Sequence, residues 1–117
     1  MFRFETLDIW KDAADYAVEI FQYTETIPNQ YRFSLGDQLN RAGLSPSNNI
    51  AEGSGSESER DFRNFLNIAV RSVYEVVSAL TVAKKKKLIS ENLYNKLYQD
   101  GELLAKRIRA FRKTLRP

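Results

Sequence analysis

Cysteine and histidine are both absent from this 117-residue chain. Without cysteine there is no disulfide, no zinc thiolate and no thiol nucleophile. Without histidine the commonest general base, the Ser-His triads and the imidazole ligands of most transition-metal sites are gone too. Only carboxylates could hold a metal, and no local cluster of them supports one, so neither metal nor cofactor is expected. Glycine (5) and proline (3) are scarce, which argues against a loop-rich or all-β fold. No run of about 18 apolar residues occurs, so no membrane span is expected. The opening MFRFETLDIWKDAADY carries acids where a signal peptide needs an apolar stretch, and a cytoplasmic location is expected.

What the chain does contain is polarised. Residues 1–83 hold 7 Lys+Arg against 12 Asp+Glu, a net of −5, whereas residues 84–117 hold 11 against 3, a net of +8. A basic element is attached to an acidic body. Such asymmetry suits either contact with nucleic acid or packing of acidic on basic faces between copies.

Apolar spacing predicts an all-α protein of one domain, residues 1–117, with four helices over about 6–24, 34–52, 59–86 and 91–115. In the first, Leu7, Trp10, Ala14, Ala17, Phe21 and Thr24 recur at 3-4 spacing, and Thr6 is the expected cap. In the second, Ser34 is the expected cap and Leu35, Leu39, Ala42 and Ile50 form the stripe. Pro46 predicts a kink or break near 43–45, and Gly53 a left-handed stop. The third carries Phe62, Leu66, Ala69, Val73, Val76, Leu80 and Ala83 without interruption, behind Ser58 as cap. The fourth carries Leu97, Gly101, Leu104, Ile108, Phe111 and Leu115 behind Ser90. Short connections predict an antiparallel up-down-up-down four-helix bundle. Residues 53–57 then read as a tip between helices: no strand precedes them and no GxxxxGK[ST] occurs, so they are not a phosphate-binding loop.

Two groups of residues are candidates for function. The first is basic. The run Lys84-Lys85-Lys86-Lys87 reads either as cations facing a helix C-terminus or as phosphate contacts. On the fourth helix, Lys106, Arg109, Lys113 and Arg116 fall opposite the apolar stripe, flanked by Arg107 and Arg112, in a ridge roughly 15 Å long. No aromatic interleaves with this ridge in sequence, so backbone contact rather than base stacking is the expected mode. The second group, Asn49, Glu52, Ser72 and Glu75, is expected as a polar network between helices two and three. A catalytic pair of carboxylates there is the weaker reading. Glu52, in the last turn of helix two, opposes the helix dipole and calls for a local hydrogen bond or ion pair. The six tyrosines are too scattered in sequence to form a platform.

The string NNIAEGSGSESERDFRNFLNIA resembles the signature of the 23S rRNA intervening-sequence family, small bundles encoded in insertions within bacterial 23S rRNA genes. The matching positions are Ser45, Asn48, Asn49, Ile50, Ala51, Glu52 and Gly53, then Phe62, Phe65, Leu66, Ile68 and Ala69. Upstream, Trp10, Pro28, Leu35, Gln38, Leu39, Arg41 and Ala42 also fit. Pro46 and Arg71 depart from the pattern. The chain is similar, too, to the accessory variability proteins of diversity-generating retroelements, which bind nucleic acid and a reverse transcriptase. The resemblance implies a left-handed bundle, a homo-oligomer (pentameric in known members) and no active site. The combined expectation is a non-enzymatic oligomer that binds RNA or DNA through its basic C-terminal helix. The alternative is an adaptor oligomer that binds a protein partner without nucleic acid.

Overall fold

A computed structural model describes residues 1–117 as four helices, α1 (Asp8–Thr24), α2 (Asp37–Ser54), α3 (Glu59–Lys85) and α4 (Glu91–Arg112), with no strand. The body measures 43 × 21 × 20 Å. Each helix packs on its neighbours in sequence, and α1 also packs on α4. Early residues of one helix meet late residues of the next at every seam. Thr24 bonds Asn40 while Ile20 lies against Gly43, and Gln38 bonds Glu75 while Ser45 bonds Ser72. Tyr16 bonds the Leu97 carbonyl while Tyr23 bonds that of Leu88. Adjacent helices therefore run antiparallel.

The α3 stripe is the clearest link from sequence to packing. All seven of its residues, Phe62 to Ala83, are buried. Each large apolar side chain removed from water contributes about 1.5–3 kcal/mol. Ser58 and Ser90 cap as expected: their hydroxyls accept from the Asp61 and Leu93 N–H groups at 3.1 and 3.2 Å. By length and composition α3 is apolar enough to cross a bilayer, although its sequence has no unbroken apolar run. Its apolar stripe is instead spent on the bundle core.

Other expectations need correction. Thr6 does not cap α1. It belongs to a short 3-10 turn, Arg3–Thr6, where its hydroxyl donates to the Arg3 carbonyl. The buried face of α1 is centred on Ile9, Ala13, Tyr16, Ile20 and Tyr23, beside the expected stripe on the helical wheel; of that stripe Ala17 and Thr24 are buried, Leu7, Trp10 and Ala14 are half-buried and Phe21 is exposed. Two tyrosines are accommodated inside because each hydroxyl finds a carbonyl on or before α4, both at 3.0 Å. Burial pushes both phenols above their ordinary pKa.

Ser34 is no cap either. It sits in a π-helical turn, Arg32–Gly36, that runs directly into α2. Pro46 does not break α2, which continues through it to Ser54. The ring is fully buried, and both halves of the helix are held: Gly43 lies on Ile20 before it, Gly53 on Phe62 after it. That packing outweighs the roughly 3 kcal/mol an interior proline costs. Gly53 is not a left-handed stop, since no glycine has positive φ. A Cβ there would lie 2.7 Å from Phe62 Cδ1 and 2.8 Å from Phe65 Cβ. The glycine lets α2 and α3 approach closely.

Candidate nucleic-acid interface

The lysine run occupies the end of α3 and the turn to α4. Lys87 takes φ of 63°, the only positive value on a non-glycine residue. The Leu88 N–H bonds the Ala83 carbonyl at 2.8 Å and the Lys87 N–H bonds that of Lys84 at 3.0 Å. This is a Schellman termination with lysine at the left-handed position. Lys84 lies over the Tyr94 ring, 4.6 Å from its centroid. Lys85, Lys86 and Lys87 are exposed and make no ion pair.

On α4 the bundle divides the basic residues between two seams. Toward α1, Arg107 pairs with Asp12 at 2.9 Å, and Lys96 holds both Glu19 and Asp100. The hydrogen bonds that Lys96 donates to Asp100 and Glu19 raise its pKa. The α1–α4 seam is thus neutralised by acids of the body. Toward α3, two arginines are committed to structure. Arg112 donates to Asn67, and its Nε is buried without a partner. Arg109 lies over Tyr74, 5.3 Å from the ring centroid, and donates to the phenol oxygen at 2.6 Å. Arg63, at the start of α3, donates to the carbonyls of Arg112 and Leu115 at 2.7 and 3.2 Å, and so caps the negative end of α4. Arg63 was not singled out from sequence: its partner carbonyls lie about fifty residues away.

On and beyond α4, the unpaired cations of the α3–α4 edge are Lys106, Lys113 and the Arg116 side chain, all exposed. Arg116 contributes only its backbone N–H, to Glu59, at 2.7 Å. The helical spacing of Tyr98, Glu102, Lys106 and Arg109 places them on one face of α4; Lys113 and Arg116 follow in the turn and tail beyond its end at Arg112. Arg71, Tyr74, Ser78 and Lys85 share the facing side of α3 by the same rule. Between them lies an open cavity of about 290 Å³ lined by Val73, Tyr74, Val77, Tyr98, Gly101, Glu102, Ala105 and Arg109. Two tyrosines, 24 residues apart in sequence, meet there; no periodicity within either helix could have paired them.

The polar group between α2 and α3 is only partly assembled. Asn49 donates to the Ser45 carbonyl and hydroxyl, both at 2.9 Å, and Ser45 bonds Ser72 at 2.7 Å. Glu75 instead accepts from Gln38 at 3.1 Å, further along the seam. Glu52 is exposed and its carboxylate forms neither a hydrogen bond nor an ion pair, so the expected local compensation is missing. The two carboxylates share no site. Ser45 and Gln38 are the residues that sequence reasoning left out of this network.

Fold and seams together define a helical bundle with a neutralised α1–α4 side and a cationic α3–α4 edge. The chain belongs to the 23S rRNA-intervening sequence protein family, which matches residues 5–110. It is also similar to a crystal structure of a protein of unknown function from the S23 ribosomal protein family of Bacteroides thetaiotaomicron VPI-5482. The two are 25% identical, superpose with a TM-score of 0.84, and the match covers 90% of this chain and 95% of that one. No curated protein matches the chain.

Proposed function

We propose that this chain is a non-enzymatic, self-associating bundle that binds the phosphate backbone of RNA or DNA along its α3–α4 edge. The observation that carries the reading is the division of charge. Basic residues facing α1 are paired, whereas Lys85, Lys106, Lys113 and Arg116 on the other edge offer uncommitted cations, with Glu102 the acid among them. Each phosphate neutralised by such a cation releases counterions, so affinity falls with salt. Self-association has support on the opposite side. Val18, Phe21, Phe33 and Leu44 are exposed apolar residues of α1, α2 and their connection, and Phe21 and Phe33 line one groove. An oligomer built through that side, pentameric as the family resemblance suggests, leaves α3–α4 open. The test is binding of a labelled single strand across a salt series. Lys106→Glu with Lys113→Glu lowers affinity and reduces the salt slope by about 1.4. Absent or salt-independent binding rejects the proposal. The adaptor reading is then favoured if high salt dissociates the oligomer, as light scattering would register.

A further inference from the structure

We infer that the cleft between α3 and α4 receives an unpaired base of a single-stranded nucleic acid, stacked against Tyr74 and Tyr98. This rests on the backbone-binding reading above and adds a base-recognition element to it.

Both rings are exposed enough to be covered, Tyr74 at 59% and Tyr98 at 41%. Both are also held in place before any ligand arrives. Arg109 bonds the Tyr74 hydroxyl at 2.6 Å and lies over the ring. Tyr98 packs on Tyr94 with 5.9 Å between centroids, and Tyr94 is fixed by the Thr81 hydroxyl at 2.9 Å. A ring already fixed loses little entropy when a base covers it.

Gly101 forms part of the floor between them and brings no side chain; a Cβ there would be crowded by Tyr16 Oη at 2.7 Å. At about 290 Å³ the cleft suits one planar ring system and is too small for a docked helix. Glu102 decides which part of the polyanion enters. A carboxylate on the wall repels a phosphate but accepts hydrogen bonds from base N–H groups. Arg109 also lines the cleft, but its guanidinium is held on Tyr74; the uncommitted cations lie outside it, with Lys106 following Glu102 on the same face of α4 and Lys113 just beyond the helix end. Phosphates on the rim and a base in the cleft is the division of labour seen in single-strand binding generally.

The discriminating probe is an abasic strand, which keeps every phosphate and lacks the bases. Fluorescence anisotropy compares oligo(dT) with an abasic strand of equal length. The wild type is expected to bind oligo(dT) about tenfold more tightly. Tyr74→Leu with Tyr98→Leu brings oligo(dT) down to the abasic level and leaves abasic binding and the salt slope unchanged. Tyr74→Phe with Tyr98→Phe keeps the rings and most of the difference, which separates stacking from loss of the Arg109 bond. Circular dichroism melting confirms that the variants fold. Equal binding of the two strands by the wild type, or indifference to the leucine changes, overturns the stacking and leaves the backbone contact standing. Binding of neither strand overturns both.

Discussion

Replacing Gly101 by alanine tests how tightly the core is built under the cleft. In an isolated helix the change would stabilise by about 1 kcal/mol, because glycine is the poorer helix former. Here the new Cβ would lie 2.7 Å from Tyr16 Oη, 3.1 Å from Val77 Cγ2 and 3.2 Å from Tyr16 Cζ. Tyr16 is buried and donates to the Leu97 carbonyl at 3.0 Å. It cannot retreat without giving up that bond, and a buried hydroxyl left unpaired costs roughly 1–3 kcal/mol. Overpacking adds about 1–3 kcal/mol. Set against the gain in propensity, Gly101→Ala should destabilise by about 2 kcal/mol, or ~8 °C in Tm for a chain of this size. Tyr16→Phe removes the hydroxyl and, with it, most of the clash. Combined with Tyr16→Phe, Gly101→Ala should therefore cost under about 1 kcal/mol. A double-mutant cycle by urea unfolding, monitored by circular dichroism, gives the coupling directly. Additive effects, or a wild type made more stable by Gly101→Ala alone, would refute the packing described.

Other outcomes follow from single sites. Lys87→Gly should stabilise by about 0.5–1 kcal/mol in thermal melts, since the left-handed conformation at 63° costs a lysine but not a glycine. Stability should also fall at alkaline pH. Tyr16 has its pKa raised in the folded state by burial first, then by Asp100 and Glu19, so the unfolded chain releases that proton earlier. The stability it contributes is complete below the unfolded pKa of about 10 and is lost progressively as pH rises above it. Tyr16→Phe should reduce the slope of the stability profile between about pH 9 and 11, leaving a residual slope from Tyr23, also raised by burial, and from Lys96, whose raised pKa acts in the same direction but at an exposed site.

How much of the molecule could be read from the chain depended on where each partner lies. The α3 stripe was legible because seven residues keep one phase over 22 positions and bury on one side. On α1, two adjacent stripes have equal helical spacing. The choice between them rests on Tyr16 and Tyr23, which enter the core only because α4 and the turn before it supply acceptors. Local rules overestimated Pro46 and misassigned Gly53. Proline was judged by the backbone bond it removes, and glycine by its dihedral freedom, whereas long-range packing governs both. The basic ridge was visible as a pattern. Its division into structural arginines and free lysines was not, since Asn67, Tyr74 and Asp12, which engage Arg112, Arg109 and Arg107, lie on other helices. The tyrosine cleft had no signal in either helix alone.

Lysine reactivity gives the most direct test of the α3–α4 edge as the nucleic-acid surface. Lysines lie on both sides of the bundle: Lys11 on α1, Lys96 on the α1-facing side of α4, and Lys84–Lys87, Lys106 and Lys113 along the proposed edge. Acetylation read by mass spectrometry, with and without a single-stranded oligonucleotide, should show protection at Lys106 and Lys113 and none at Lys11. Protection centred on Lys11, or equal reactivity everywhere in the presence of saturating strand, would contradict it.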